Sequence, residues 1–88
     1  MYNYEVMPDL KRTLNKLFKK NKIMYKQVMK KIEEIIQNPQ HYKSLKYDLV
    51  GERRVHIMKS FVLKYEINKT RKTIIFFFFG HHDEAYKR

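Results

Sequence analysis

The chain has no cysteine and no tryptophan, and only two glycines, two prolines and nine acidic residues among its 88. The absence of cysteine excludes disulfide staples and thiolate metal sites. The only serines are Ser44 and Ser60, and neither stands on the turn motif that presents a catalytic hydroxyl, which argues against a serine triad. No His-Glu-x-x-His or similar metal spacing occurs. His81 and His82 are adjacent, and neighbours on an extended chain point apart, so they do not readily share an ion. The sequence asks for no metal and no cofactor. Its apolar runs fall far short of the roughly 20 residues that span a bilayer, and no signal-peptide pattern opens it. These features predict a cytoplasmic protein with no membrane partner.

What the chain has in excess is positive charge. Twenty Lys and Arg against nine acids give +11. The excess is concentrated: residues 10–32 carry nine cations, among them Lys19 and Lys20, and no acid. A solvated face usually mixes both signs. A surface of one sign attracts polyanions and speeds their encounter, the candidates being nucleic acid, an acidic protein partner or an anionic membrane. At 88 residues the whole chain, 1–88, reads as one domain.

Taken in order, residues 2–7 alternate as a strand does. Pro8 and Asp9 then open a helix, since proline suits its first turn and a carboxylate the positive end of its dipole. Leu10, Leu14, Leu17 and Phe18 recur at helical spacing and predict a helix over 8–20. Asn21 breaks or caps it. A second helix is predicted over 22–37, with Tyr25, Val28, Met29, Ile32, Ile35 and Ile36 as its core stripe, ended by Asn38-Pro39. A connector follows with Leu45, Tyr47 and Leu49 as anchors. Residues 53–59 and 61–67 alternate again, with Val55 and Ile57, then Phe61, Leu63, Tyr65 and Ile67 facing inward. Three strands with short links make an antiparallel meander. The order β-α-α-β-β-β is an α+β fold, a small twisted, mainly antiparallel sheet with an N-terminal helical hairpin.

The last strand is the least ordinary stretch. Ile74, Ile75 and Phe76 through Phe79 form six apolar residues in a row. The run is too short for a lone helix and does not alternate, which predicts a central strand covered on both faces. Gly80 is expected to release the chain from the sheet. Behind it stand His81, His82, Asp83, Glu84 and Tyr86.

Metal-free cleavage of RNA needs a base for the ribose 2′-hydroxyl, an acid for the leaving oxygen and cations for the charge that builds on phosphorus. Arg54 and His56 share one face of one strand. His82 and Tyr86 follow the end of the central strand. If the two regions meet, a basic cleft holds arginine, histidine and tyrosine, and imidazole is the side chain suited to proton exchange near neutral pH.

The helical hairpin ending in Asn38-Pro39, the Leu45-Lys46-Tyr47-Asp48-Leu49 segment, Arg53-Arg54-Val55-His56-Ile57, Phe61-Val62-Leu63-Lys64-Tyr65-Glu66-Ile67 and the closing Phe79-Gly80-His81-His82-Asp83-Glu84-Ala85-Tyr86 together resemble the RelE/ParE superfamily of type II toxins. The resemblance implies a RelE-like fold and a RelB-like antitoxin in a hetero-oligomeric complex. In the RelE branch it implies ribosome-dependent cleavage of mRNA in the A site, with ribosome and mRNA as partners. Carried over, the catalytic positions fall on Arg54, His56, His82 and Tyr86. Arg53, Lys64, His81, Lys87, Arg88, Lys19 and Lys20 are the expected RNA contacts. The family often places an arginine after the aromatic that opens the third strand. Here Val62 follows Phe61, and Lys64 shares its face. The ParE branch, which poisons DNA gyrase, and a non-enzymatic co-repressor are the alternative readings.

Overall fold

In the computed structural model, which describes residues 2–42 and 51–85, Pro8, Asn21 and the Asn38-Pro39 pair divide the N-terminal half. They bound β1 (Asn3–Val6), α1 (Pro8–Lys20) and α2 (Lys22–Gln37). Asn21 closes one helix and opens the next. Its N–H donates to the Leu17 carbonyl at 2.8 Å, and its side-chain oxygen accepts from the Met24 N–H at 3.1 Å. Such a cap is worth about 1 kcal/mol. Both helices have the predicted bounds. The predicted anchors Leu45, Tyr47 and Leu49 lie outside the described residues. No helix among the described residues is long and apolar enough to cross a membrane.

The C-terminal half supplies β2 (Glu52–Ile57), β3 (Phe61–Asn68), β4 (Thr73–His81) and a single turn, α3 (His82–Ala85). The sheet order is β1-β4-β3-β2. β2, β3 and β4 form the expected antiparallel meander, and β1 adds to β4 in parallel. Met58 and Lys59 turn β2 into β3 with φ of 51° and 67°. Left-handed residues at a hairpin match the strands' twist.

One face of this sheet meets the helices. Leu10, Leu14, Met24, Val28, Ile32 and Ile35 pack on Val55, Ile57, Leu63, Tyr65, Ile74, Phe76 and Phe79. The stripes differ from the periodic reading at three places. Phe18 is 50% exposed and Met29 37% exposed, whereas Met24 is buried. The buried positions of α2 are Met24, Val28, Ile32 and Ile35, so the stripe that meets the sheet is centred away from Met29. Phe18 instead meets the edge of Tyr25, with ring centroids 5.0 Å apart.

The phenylalanine run has a different cause from the one its composition suggests. Lys64 is opposite Phe78 and Tyr65 is opposite Phe76, so Phe77 is an extra residue at a β-bulge. A bulge interrupts the two-residue alternation. Phe76 and Phe79, three apart, therefore both enter the core, while Phe77 and Phe78 are half-buried. The prediction that both faces of β4 are covered by other elements gives way to this local device.

Gly80 is also not an exit from the sheet. It pairs with Val62, and the strand continues to His81 opposite Phe61. A Cβ at position 80 would lie 2.7 Å from Cζ of Phe78. A side chain there would have to push the Phe78 ring aside.

A polar strut ties the end of α2 to the sheet. The buried Tyr65 hydroxyl donates to the Pro39 carbonyl at 2.8 Å. Beside it, the Arg53 guanidinium donates to the Tyr42 carbonyl. Burial pushes the Tyr65 phenol up to about 12, and the Arg53 charge works against that rise.

Two predictions follow from these contacts. An unfolded chain ionises Tyr65 near pH 10 and the folded one near 12, so its contribution to stability is intact below pH 10 and is lost between about pH 10 and 12. Tyr65→Phe leaves the Pro39 carbonyl without its donor and should cost about 1–3 kcal/mol at neutral pH. Denaturant unfolding should show this gap to wild type narrowing across that alkaline window; a constant gap would contradict the assignment. Gly80→Ala should cost roughly 1–3 kcal/mol by displacing the Phe78 ring. Most of that cost should vanish in a Phe78→Ala background, and strict additivity in the cycle would rule out the contact.

Candidate active site

The face of the meander turned away from the helices carries the polar residues. Glu52, Arg54 and His56 project from β2, Val62 and Lys64 from β3, and Phe78 and Gly80 lie in register on β4. Strand alternation alone places them on this side, because Val55, Ile57, Leu63 and Phe79 belong to the core on the other.

Arg54 stands directly opposite Lys64 in the β2–β3 ladder. Two cations side by side repel, and the arrangement is relieved by Glu52, whose carboxylate lies 3.5 Å from the Lys64 ammonium. Both of these side chains are about five-sixths buried, at 15% and 16% exposure. The ammonium also sits over the Phe78 ring, 5.4 Å from its centroid. The bulge is what turns Phe78 to this face, so the core's geometry reaches the site through one ring.

His56 and Val62 are opposite one another, and Gly80 is the next position across. Val62 is fully buried yet lies outside the helix-facing core cluster. The position where the resemblance implies an arginine thus holds a buried valine.

The strand's continuation through Gly80 decides where the C-terminal histidines go. The His82 N–H donates to the Ser60 carbonyl at 2.6 Å, pinning the start of α3 to the β2–β3 turn. The His82 ring then stacks on His56, with centroids 5.7 Å apart and planes inclined by 28°. Arg54, His56, Lys64 and His82 therefore share one face. His81 points elsewhere. Its ring meets the edge of Phe61 at 5.6 Å, and its Nδ1 accepts the Asp83 N–H at 3.2 Å. Asp83 reaches towards both imidazoles, at 3.7 Å from His81 and 3.8 Å from His82.

Several expected RNA contacts are not part of this group. Arg53 faces the helical side with Tyr65 and engages the Tyr42 carbonyl, so strand alternation separates it from Arg54. Lys19 and Lys20 close α1 in the helical layer. Tyr86, Lys87 and Arg88 lie outside the described residues. Glu52 and Phe78 join the site without having been anticipated. The signal for Glu52 was present in the sequence, since it precedes Arg54 and His56 at two-residue spacing.

The arrangement can do two things chemically. Arg54 and Lys64 supply positive charge to an anion lying on the sheet. Two stacked imidazoles can give and take protons beside that charge. Among the described residues no three His, Asp or Glu side chains converge as ligands for a metal ion.

Comparison with known proteins places this geometry in context. Residues 4–86 match the family described as the ParE toxin of the type II toxin–antitoxin system parDE. RelE4 of Methanocaldococcus jannaschii, a candidate toxin, is 50% identical over 88 residues, covering 100% of this chain and 94% of that protein. Among solved structures, YafQ from E. coli strain BL21(DE3) is similar with a TM-score of 0.77 at 16% identity, covering 99% of this chain and 100% of that one. A chain of the RelBE2 toxin–antitoxin complex of Mycobacterium tuberculosis is similar with a TM-score of 0.74 at 19% identity, covering 92% and 98%. Those identities speak to the fold alone; with the full-length sequence matches, they make this chain a member of the RelE/ParE superfamily of type II toxin–antitoxin toxins.

Proposed function

We propose that the chain is a ribosome-dependent, metal-free endoribonuclease that cuts mRNA in the A site and is held inactive by a cognate antitoxin. The observation that carries this reading is the stacking of His82 on His56, 5.7 Å apart, on the face that also holds Arg54 and Lys64. Phosphodiester transfer requires two proton-handling groups and a cationic seat for the phosphate, and this face offers both.

In the proposed step the ribose 2′-oxygen attacks phosphorus. The O2′–P bond forms and the P–O5′ bond breaks, leaving a 2′,3′-cyclic phosphate. One imidazole takes the 2′-hydroxyl proton while the other, protonated, gives a proton to the departing O5′. Arg54 balances the charge that builds on the phosphoryl oxygens. Lys64, held by Glu52 and Phe78, adds a fixed positive charge where the valine at 62 supplies none. Tyr86 is assigned by resemblance to substrate positioning. The cations of α1 and α2, Lys19 and Lys20 among them, face ribosomal RNA, and the protein acts in the cytoplasm where ribosomes are.

The antitoxin partner is supported by neighbours solved as toxin–antitoxin complexes, RelBE2 of Mycobacterium tuberculosis and YoeB–YefM of Staphylococcus aureus. The ParE family match favours a second reading, poisoning of DNA gyrase. That reading gives no role to paired imidazoles beside Arg54.

Primer extension on mRNA in translating ribosomes separates the readings. Codon-phased cuts are expected, and His56→Ala, His82→Ala and Arg54→Gln should each lower the cutting rate by about 10²–10⁴. Absence of cuts together with stalled gyrase–DNA complexes in a supercoiling assay would replace the nuclease by the gyrase reading. Inactivity in both, with tight antitoxin binding, would leave a co-repressor.

A further inference from the structure

The bulge that turns Phe78 outward leaves an aromatic ring on the face that carries the charged groups. Three rows of residues cross that face. His56, Val62 and Gly80 form one, Arg54, Lys64 and Phe78 the next, and Glu52, Glu66 and Ile75 the one beyond. Successive rows lie two residues apart, about 7 Å along a strand. The Phe78 ring does not stay in its own row. A Cβ on Gly80 would lie 2.7 Å from its Cζ, 3.3 Å from Cε2 and 3.4 Å from Cε1, so the far end of the ring covers the glycine. Lys64 is held from the other side. Its ammonium is 3.5 Å from Glu52, in the row farther from the imidazoles, and 5.4 Å from the ring centroid.

Packing alone gives this ring little reason to be there. Phe76 and Phe79 are buried against the helices, whereas Phe78 is half-buried and stands outside the core cluster. A phenylalanine left partly in water forgoes part of its burial free energy. Its surroundings suit a flat, apolar group that is joined to an anion. On one side stand the stacked imidazoles of His56 and His82, with centroids 5.7 Å apart. On the other stand Arg54 and Lys64. Between them the floor is the ring itself, a glycine and a fully buried valine, Val62.

Charge selects the occupant. An apolar side chain from a partner protein fits the ring but brings nothing to balance Arg54 and Lys64, for which Glu52 supplies one negative charge against two positive. A nucleotide brings both the flat face and the phosphate, and aromatic side chains hold the unstacked bases of single-stranded RNA in this manner. We propose that Phe78 is the stacking platform for the RNA base adjoining the scissile phosphate. Purines are preferred there because their larger ring system overlaps the phenyl ring more fully. Val62, at the position where the resemblance implies an arginine, then completes an apolar floor in place of a charge. RNA as the source of the base rests on the nuclease reading above; the stacking itself requires no catalysis.

Two probes that differ only by the base test this: adenosine 5′-monophosphate and ribose 5-phosphate, each titrated into the full-length protein and followed by NMR. Adenosine 5′-monophosphate should bind about tenfold more tightly, the scale of one base–aromatic stack. A nuclear Overhauser effect should connect the adenine ring protons to the Phe78 ring. Cytidine 5′-monophosphate should fall between the two probes. Phe78→Leu keeps an apolar group beside Lys64; it should remove most of the preference for the base and leave ribose 5-phosphate binding nearly unchanged. Phe78→Tyr should keep the preference. Equal affinity for the two probes, or a preference that survives Phe78→Leu, would overturn the proposal. An Overhauser effect from adenine to Tyr86 with none to Phe78 would do so too, as would the failure of both probes to bind at millimolar concentration. The Overhauser contact in the unaltered protein carries the test if the leucine variant does not fold. A protein that stacks the base on Phe78 and cuts no mRNA refutes the nuclease alone, and one that cuts mRNA without this preference refutes the stacking platform alone.

Discussion

Pairing between β3 and β4 governs what every other element can do. The bulge opposite Lys64 and Tyr65 lets Phe76 and Phe79 both reach the helices. Burying two such rings is worth roughly 1.5–3 kcal/mol each, a large share for so short a chain. The same bulge turns Phe78 to the opposite face, where its ring carries the Lys64 ammonium and presses on Gly80. Core and site are thus two consequences of one inserted residue.

The molecule divides its surface accordingly. One face of the meander gathers Arg54, Lys64, His56 and His82, with Glu52 moderating the charge. The opposite edge, β1, pairs with β4 alone among the described residues and exposes Tyr4. α1 and α2 carry most of the remaining lysines on their outer sides. The paired imidazoles, the open sheet edge and the lysine-rich helices therefore fall on different parts of a very small fold.

Much of this was legible in the residues, and the reasons differ from place to place. α1 and α2 were bounded correctly because Pro8, Asn21 and Asn38-Pro39 act through local backbone chemistry. The meander was readable because β2 and β3 alternate. The shared face of Arg54 and His56 followed from the same two-residue period. The bulge was not readable, since it depends on how β3 and β4 register, and without it the phenylalanines looked covered on both faces. Gly80 was mistaken for a strand end because its surroundings, the pairing with Val62 and the overlying Phe78 ring, are tertiary. The exposure of Met29 and burial of Met24 depended on how α2 docks on the sheet, which its own periodicity does not fix. Arg53 was expected to contact RNA beside Arg54, whereas strand alternation puts it on the core side beside Tyr65.

The central claim is that β4 runs unbroken through Gly80 and so lays His82 on His56. A shift of one residue at the strand end would exchange the places of His81 and His82. The nuclear Overhauser effect between imidazole ring protons in the full-length protein tests this directly. The stacked rings, 5.7 Å between centroids, predict a cross-peak between His56 and His82, and a separate one between His81 and Phe61. A cross-peak from His56 to His81, with none to His82, would contradict the account.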